Sequence, residues 1–298
     1  MVAKLNKPLI AIVGPTATGK SDLAIKLAKK FNCEIVSADS WLVRRHLDIG
    51  TAKPSIEQRN FVPHHMIDIV DPCENYSAAR YKREAQIAID DIYDRGRLPI
   101  LVGGTGLYVD AILYNFSFLP SPGLVVRQAL NGMSLQRLHQ TALSKGLDLG
   151  SIDSNNKRRV IRLIETNGMI ATKSKLRNDT IVIGVSAKTE DLKKRITKRV
   201  DDMINAGLKQ EVEQLSGIYG WGCEALKGIG YSEWLLHFKG NQSIETTRER
   251  IIKDTYELAK RQQTWFKKNK SIHWYPAPVK ESQLDEIVTT FLSKNIFL

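Results

Sequence analysis

The sequence predicts an α/β protein: a parallel sheet with helices on both faces, a helical insertion and a helical C-terminal tail. Three observations lead to this fold class. Short continuous apolar runs end in glycine or small polar residues, as buried parallel strands do. Amphipathic stretches alternate with these runs, which is the pattern of strand–helix–strand units. A proline and glycine break near residue 120 then ends the alternation, and no strand-like run returns until residue 180.

The first half of the chain supplies most of the predicted core. Three runs predict buried strands: residues 8–14 (PLIAIVG), 34–40 (EIVSADS) and 98–106 (LPILVGGTG). Between them, residues 21–31 (SDLAIKLAKKF) carry apolar side chains at helical spacing. A second helix is expected over residues 77–96, with Ser77 as its N-cap and Gly96 at its end.

The second half divides the chain into two predicted domains. Residues 120–179 contain only short helical stretches after the break LPSPGL, so we expect them to form a small helical insertion. Residues 1–119 and 180–298 then form the α/β core. Its later elements are a strand at 180–187 (TIVIGVSA), a tail of long amphipathic helices, and a final edge strand in SIHWYP.

Composition excludes several classes of protein. The 298 residues are 42% hydrophobic and 26% charged, which is ordinary for a soluble globular chain. No apolar run approaches the roughly 20 residues of a membrane helix, and the N-terminus shows no export signal. The three cysteines form no CxxC pair, which argues against a disulfide framework or a zinc site. We therefore expect a monomer in a reducing cytoplasm, without a membrane partner.

The formal net charge of +12 has two interpretations. A basic solvated surface would produce it, and so would a polyanionic partner, because lysine and arginine displace counterions from a phosphate backbone. The charge is clustered: between Lys157 and Arg177 seven basic residues accompany one acid, Glu165. A second group follows at residues 260–270. This clustering favours RNA or DNA as the partner.

Residues 14–21 (GPTATGKS) match the phosphate-loop pattern G-x-x-x-x-G-K-[ST], with a strand before and a helix after it. Such a loop is typical of a P-loop NTPase-like sheet. Its backbone N–H groups, the helix N-terminus and the lysine bind a di- or triphosphate, and its serine hydroxyl faces Mg²⁺. The predicted phosphate-binding residues are Gly14, Thr16, Ala17, Thr18, Gly19, Lys20 and Ser21, with Ser21 as the metal ligand. The alternative is a glycine turn without a ligand.

Asp39 follows the second predicted strand, whereas the third strand ends in Gly103, Gly104 and Thr105 without an acid. In a parallel sheet the carboxyl ends of the strands meet beside the phosphate loop. Asp39 is therefore a candidate metal ligand or general base. A turn or helix cap formed by Asp39 or Ser40 is the structural alternative.

Several longer motifs carry a resemblance to one family. The blocks GPTATGKS, SADS, LDIGTAKP, PHHMIDIVDP, YSAARYKREA, LVGGTGLYVDAIL, GIGYSEW and AKRQQTWFKK follow one another in this order. The sequence resembles the tRNA dimethylallyltransferases nearly from end to end, up to about Lys268. It departs from the family pattern at Arg44 and His46, where the family usually has an aromatic residue and then a glycine.

The resemblance implies a specific reaction. The family transfers a dimethylallyl group from dimethylallyl diphosphate to N6 of the adenosine on the 3′ side of the tRNA anticodon, and diphosphate leaves. The phosphate loop would then hold the leaving group, with Mg²⁺ at Ser21. By similarity, Asp39 is the general base and Thr105 bonds an oxygen near the breaking bond.

The resemblance also implies an interface with the tRNA anticodon stem-loop, whose adenine must flip out of its stack. Matching positions are Asp39, Ser40, Trp41, Leu42, Arg127, Arg158, Arg159, Arg162, Lys227, Tyr231, Lys260, Arg261, Gln262 and Trp265. Trp265 could equally belong to the core of an amphipathic helix.

Other functions remain open from the residues alone. The phosphate loop fits an ATP-dependent small-molecule kinase, and the basic clusters fit an RNA-binding switch ordered by nucleotide. A prenyltransferase acting on free adenine nucleotides is a third alternative. The adjacent His64 and His65 suggest a metal pair, but neighbouring strand residues point apart, which favours a structural role.

Overall fold

The computed structural model of this chain describes residues 7–120 and 123–294. The described strands are β1 (Leu9–Val13), β2 (Cys33–Ser37), β3 (His64–His65), β4 (Leu98–Gly103), β5 (Thr180–Ser186) and β6 (Ile272–Pro276). They form one sheet in the order β3-β2-β4-β1-β5-β6, and every pairing is parallel. The predicted parallel sheet and the predicted final edge strand are confirmed.

Helices connect the strands, together with turns and loops. The helices are α1 (Lys20–Lys30), α2 (Ile56–Phe61), α3 (Ala78–Asp94), α4 (Gly106–Leu113), α5 (Leu124–Gly132), α6 (Leu135–Ser144), α7 (Lys157–Glu165), α8 (Thr189–Asn205), α9 (Leu208–Tyr219), α10 (Leu235–Phe238), α11 (Ile244–Lys267) and α12 (Glu281–Lys294). Ser77 caps α3 as predicted, since its side chain accepts a hydrogen bond from the backbone N–H of Arg80. Gly96 follows that helix with a φ of 69°, which suits glycine.

The sheet is buried because its central strands are apolar on both faces. Every residue of β1, β2 and β4 is buried. Ile10 and Ile12 of β1 join a core cluster with side chains of α1 and α12, and α3 packs against β2 and β4. Helices therefore shield the central strands from water, which is the condition for a parallel sheet.

The chain separates into two compact units, one comprising residues 1–113 with 176–298 and the other residues 114–175. The sequence placed the insertion at 120–179, and Ser121 and Pro122 of the predicted break lie outside the described residues. The smaller unit is helical. Side chains of α5, α6 and α7 form its own core, including Leu130, Leu138 and Val160.

The cysteines correct an expectation. Cys73 and Cys223, 150 residues apart in sequence, are joined by a disulfide with a Cα–Cα distance of 4.8 Å. The prediction of no disulfide was wrong because sequence spacing does not show that the turn after β3 meets the segment after α9. Cys33 is free and buried.

The histidine pair has protein partners on both rings. His64 Nδ1 lies 2.6 Å from the carbonyl oxygen of Val62, and His65 Nε2 lies 2.6 Å from a carboxylate oxygen of Glu34. Across residues 7–120 and 123–294, no group of three or more His, Cys, Asp or Glu side chains is arranged to hold a metal ion. In the same residues, no helix combines the length and the hydropathy needed to cross a bilayer.

Burial of Cys33 at the start of β2 raises the pKa of its thiol to about 12. The thiol therefore stays protonated at pH 8, and the thiolate is the reactive form. We expect iodoacetamide at pH 8 to leave Cys33 unmodified in the native chain and to alkylate it in urea. Peptide mass mapping measures this, and alkylation of native Cys33 at the rate of an exposed thiol would contradict it.

Candidate active site

The phosphate loop joins β1 to α1 at the carboxyl edge of the sheet. At Gly14, where φ is +144°, an added Cβ would lie 2.3 Å from the carbonyl oxygen of Val185, so only glycine fits. The hydroxyl of Thr18 donates to the carbonyl of Pro15 at 2.9 Å, which closes the loop on itself. Helix α1 begins at Lys20 directly after the left-handed Gly19. The helix N-terminus therefore faces the loop, as anion binding requires.

Lys20 is the first charged group of this site. Its ammonium donates to the carbonyl of Pro15 at 3.2 Å. Burial lowers the pKa of Lys20 to about 8; the carboxylate of Asp39 opposes this shift and the cation of Arg199 adds to it. An anion bound beside Lys20 would stabilise its charged form.

Arg199 on α8 is a site residue that the sequence analysis missed. Its guanidinium donates to Thr16 Oγ1 at 3.2 Å and to the carbonyl oxygen of Thr51 at 3.2 Å. Burial lowers the pKa of Arg199, and the carboxylates of Asp39 and Asp22 act in the opposite direction. The side chain thus brings a second partly desolvated positive charge to the phosphate loop.

Two recesses meet at Arg199. The first is an open cleft of ≈ 820 Å³ whose lining includes Gly19, Lys20, Ser21, Asp22, Arg195, Lys198 and Arg199. The second is a narrow cavity of ≈ 80 Å³ with a mixed lining that includes Thr16, Asp39, Trp41, Arg199, Val200, Met203, Ile229, Ile251, Leu258 and Gln262. Most of the charged groups line the cleft, whereas Asp39 and several apolar side chains of α8 and α11 line the cavity, and Arg199 lines both. A ligand with a charged end and an apolar end matches this division.

Asp39 lies at the end of β2, and Thr105 follows β4. Asp39 Oδ1 accepts a hydrogen bond from the backbone N–H of Trp41 at 2.9 Å. Thr105 Oγ1 accepts from the N–H of Ser40 at 3.1 Å and donates to Ser40 Oγ at 3.3 Å. These bonds tie the two strand ends together and fix the turn that carries the carboxylate. Asp39 therefore caps the turn through one of its carboxylate oxygens, as the structural alternative predicted. The residue also lines the cavity.

Helix α11 packs directly on the glycine turn after β4. Gln262 Oε1 accepts from the backbone N–H of Thr16 at 2.8 Å, which joins α11 to the phosphate loop. A Cβ at Gly106 would lie 2.4 Å from the ring of Trp265, so this glycine permits the close approach of the helix. The sequence assigned Gln262 and Trp265 to tRNA contact. The structure shows in addition that Gln262 contacts the phosphate loop and that Trp265 packs on Gly106, next to Thr105.

The comparison with known proteins decides the family. A family model described as IPP transferase matches residues 42–269, more than half of the chain. The chain belongs to the IPP transferase family. A second family model, described as isopentenyl transferase, matches residues 7–61 of this chain.

Relatives of this IPP transferase chain cover nearly its whole length. A tRNA dimethylallyltransferase of Staphylococcus aureus (strain JH9) is 38% identical over 305 residues, covering 95% of this chain and 98% of that protein. A solved tRNA isopentenylpyrophosphate transferase of Bacillus halodurans has 34% identity and a TM-score of 0.74, with 97% of each chain covered. A eukaryotic dimethylallyltransferase acting on tRNA has 28% identity and a TM-score of 0.83, covering 97% of this chain and 80% of that one. The resemblance seen in the sequence motifs is confirmed.

The arginines that the family resemblance assigns to tRNA differ in their surroundings. Arg158 and Arg159, in the first turn of α7, are exposed. Arg127 and Arg162 instead pair with Glu165 Oε2 at 2.9 and 3.2 Å, and the Glu165 side chain is fully buried. Within the smaller unit, Arg127 and Arg162 therefore have a structural role in addition to any contact with RNA.

The remaining predicted tRNA residues lie on the larger unit. Lys227 and Lys260 are exposed and each pairs with a nearby glutamate at 2.9 Å, and Arg261 is also exposed. Ser40, Trp41 and Leu42 are half-buried in the turn after Asp39. Tyr231 is fully buried. The predicted role of Tyr231 in tRNA binding stays a prediction.

Arg44 and His46 mark the departure from the family pattern. Arg44 is buried, and its guanidinium donates to the carbonyls of Pro72 and Glu74 at 2.6 and 2.9 Å. His46 is exposed with a φ of 66°. Arg44 therefore supports the turn after β3 from inside the fold, and its charge does not face the surface.

The donor set suits a magnesium ion held mainly by a bound diphosphate. Ser21, the second residue of α1, is exposed and lines the cleft together with Lys20 and Asp22. Mg²⁺ prefers oxygen ligands and keeps several waters, so one hydroxyl plus phosphate oxygens is an adequate set. The residues present are consistent with the predicted metal ligand.

The pKa of Lys20 yields a pH prediction for diphosphate binding. In the free protein Lys20 loses its proton near pH 8, and a bound anion raises that pKa, so binding is stronger below pH 8 and weakens above it. We expect the affinity for inorganic diphosphate to fall about tenfold between pH 7 and pH 9 relative to Lys20→Arg, whose charge persists. Isothermal titration calorimetry of both proteins measures this ratio. A ratio that stays constant with pH would contradict the assignment.

Proposed function

We propose that this chain transfers a dimethylallyl group from dimethylallyl diphosphate to N6 of the adenosine 3′-adjacent to the anticodon in tRNA, releasing diphosphate. The observation that carries the proposal is the meeting of Lys20, Arg199 and Asp39 beside a partly apolar cavity. The tRNA prenyltransferases found among the relatives support the same reaction. The phosphate loop alone would also serve an ATP-dependent kinase, but the IPP transferase model that matches residues 42–269 favours prenyl transfer.

The diphosphate end of the donor fits the cleft. The allylic carbon–oxygen bond breaks with its electron pair moving to the diphosphate, so negative charge grows on the leaving oxygens. Backbone N–H groups of the loop, the ammonium of Lys20 and the guanidinium of Arg199 stabilise that growing charge. Mg²⁺ held by Ser21 and the phosphates would supply further neutralisation when bound.

We assign the five-carbon end of the donor to the side of the narrow cavity, because of its apolar lining. Its apolar lining comes from helices α8 and α11 and the segment around Ile229, with Val200, Met203 and Leu258 among its residues. Burying an allylic chain there removes apolar surface from water and excludes water from the reacting carbon. Transfer to water instead of adenine is thereby suppressed.

Asp39 is placed to accept the proton of the nucleophile. As the N6 lone pair forms its bond to the allylic carbon, the nitrogen becomes positive and must lose a proton. One oxygen of Asp39 accepts from the N–H of Trp41, which orients the carboxylate so that its other oxygen can take that proton. Thr105, tied to Ser40, is the candidate donor to an oxygen near the breaking bond.

The RNA substrate would bind through the exposed cations. Arg158 and Arg159 on α7, together with Lys260 and Arg261 on α11, are exposed on their respective units. Such side chains contact phosphates and set the register, while the target adenine leaves its stack to reach Asp39. The expectations of a monomer and of a cytoplasmic location stay predictions.

A mass measurement tests the proposed reaction. Protein, Mg²⁺, dimethylallyl diphosphate and an anticodon stem-loop are incubated together, and the RNA is weighed. We expect the RNA to gain one C5H8 unit per target adenosine, with one diphosphate released. RNA of unchanged mass would contradict the proposal; formation of ADP when ATP is supplied would favour the kinase, and prenylation of free AMP would favour the nucleotide prenyltransferase.

Replacing the proposed general base, Asp39, should lower turnover without weakening tRNA binding. Asp39→Asn keeps the shape and the bond to Trp41 but removes the proton acceptor, so we expect turnover to fall roughly a hundredfold to ten-thousandfold while the Kd for tRNA changes little. Asp91→Asn, an exposed aspartate on α3, is the matched control and should behave as the unaltered protein. Full turnover in Asp39→Asn would leave Asp39 with a turn-capping role only.

The exposed arginines of α7 should contribute to the salt dependence of tRNA binding. Removing one cation that binds a phosphate lowers the slope of log Kd against log salt by about 0.7 to 0.9, so Arg158→Ala with Arg159→Ala should lower it by about 1.5 and weaken binding. Lys145→Ala, which removes an exposed cation of the same unit, is the control. An unaltered slope in the double variant would exclude α7 from the RNA interface.

A further inference from the structure

Glu211, in the first turn of α9, is a heavily hydrogen-bonded acid near the site that takes no part in the proposed chemistry. Its Oε2 accepts from the backbone N–H groups of Asp48 and Ile49 at 3.0 and 2.8 Å. Its Oε1 accepts from the N–H of Gly50 at 3.0 Å and from the hydroxyl of Tyr231 at 2.7 Å. One carboxylate therefore binds three consecutive amides of one loop and the side chain of a second segment.

The first of these segments, residues 48–51, leads directly to the phosphate site. Gly50 and Thr51 line the same narrow cavity as Asp39. The carbonyl oxygen of Thr51 accepts from Arg199, whose other guanidinium nitrogen donates to Thr16 in the phosphate loop. A continuous chain of hydrogen bonds thus runs from Glu211 through loop 48–51 to Arg199.

The second segment, which contains Gly230 and Tyr231, packs on loop 48–51. A Cβ at Gly50 would lie 2.5 Å from the ring of Tyr231, so the ring lies close against the loop. Burial and the neighbouring charge of Glu211 raise the pKa of Tyr231, which keeps its hydroxyl protonated as a donor. Gly230, next to Tyr231, is also part of the cavity wall. Glu211 consequently holds two parts of that wall together.

We infer that Glu211 is a positioning residue for the diphosphate: it fixes loop 48–51 so that the Thr51 carbonyl orients Arg199 toward the phosphate loop. The inference rests on the proposed function for the identity of the anion. Glu211 itself lines neither the cleft nor the narrow cavity. We expect its effect on diphosphate binding to pass through Thr51 to Arg199, and this dependence on Arg199 distinguishes it from a residue that only stabilises the fold.

A double-variant cycle on diphosphate binding tests the inference without requiring turnover. Glu211→Gln keeps the side-chain length but replaces one acceptor oxygen by an amide N–H₂, so part of loop 48–51 faces a donor where it had an acceptor. The Kd for inorganic diphosphate is measured for the unaltered protein, Glu211→Gln, Arg199→Ala and the double variant. Glu213→Gln, an exposed glutamate on the same helix, is the matched control for the loss of one negative charge.

We expect Glu211→Gln to weaken diphosphate binding about fivefold in the presence of Arg199, and less than about twofold in the Arg199→Ala background. Glu213→Gln should leave the Kd unchanged, and urea unfolding at equilibrium should show that each variant is folded. Equal fold-losses in both backgrounds, or no loss in either, would overturn the inference.

A second variant keeps the test decisive if Glu211→Gln fails to fold. Glu211→Asp retains the charge but is one methylene shorter, so it cannot reach both segments, and the same Arg199-dependent loss is expected. Failure of tRNA prenylation with an intact Glu211–Arg199 coupling would contradict the proposed function alone. If tRNA prenylation is normal but Glu211 and Arg199 show no coupling, only this inference is contradicted.

Discussion

Two cations held partly out of water beside one carboxylate are the interaction on which this site depends. Burial lowers the pKa of both Lys20 and Arg199, because it disfavours their charged forms. The carboxylate of Asp39 offsets only part of this effect. Because Asp39 and Asp22 offset only part of the cost of burying these two cations, the site favours a bound anion. In the proposed reaction a diphosphate would supply that anion, and the two cations would stabilise it more strongly as the bond to the allylic carbon breaks and charge moves onto the leaving oxygens. The same arrangement therefore explains binding and catalysis.

The sheet makes this arrangement possible because its strands are parallel. Their carboxyl ends bring the phosphate loop after β1, Asp39 after β2 and Thr105 after β4 to one edge. Helices α8 and α11 then complete the site from the far end of the sequence, through Arg199 and Gln262. The tail that the sequence associated with RNA thus also contacts the phosphate loop.

Much of this could be predicted from the sequence where a local pattern determines the structure. Continuous apolar runs predicted β1, β2 and β4, and the spacing of glycines and Lys20 predicted the phosphate loop. Other features depend on distant contacts. The two residues of β3 are too few to show a pattern, and Arg199 lies among other basic residues of α8, so nothing local distinguishes it from Arg195. The pairing of Cys73 with Cys223 and the contacts of Glu211 likewise form only when the chain is folded.

The most direct test of the central claim is a crystal structure with an unreactive analogue of dimethylallyl diphosphate. We predict both phosphorus atoms within hydrogen-bonding reach of the backbone N–H groups of residues 14–21, with Lys20 and Arg199 as their cationic partners. The five-carbon chain should point into the cavity beside Asp39. Phosphorus atoms bound anywhere else on the protein, or a chain directed away from Asp39, would contradict the claim.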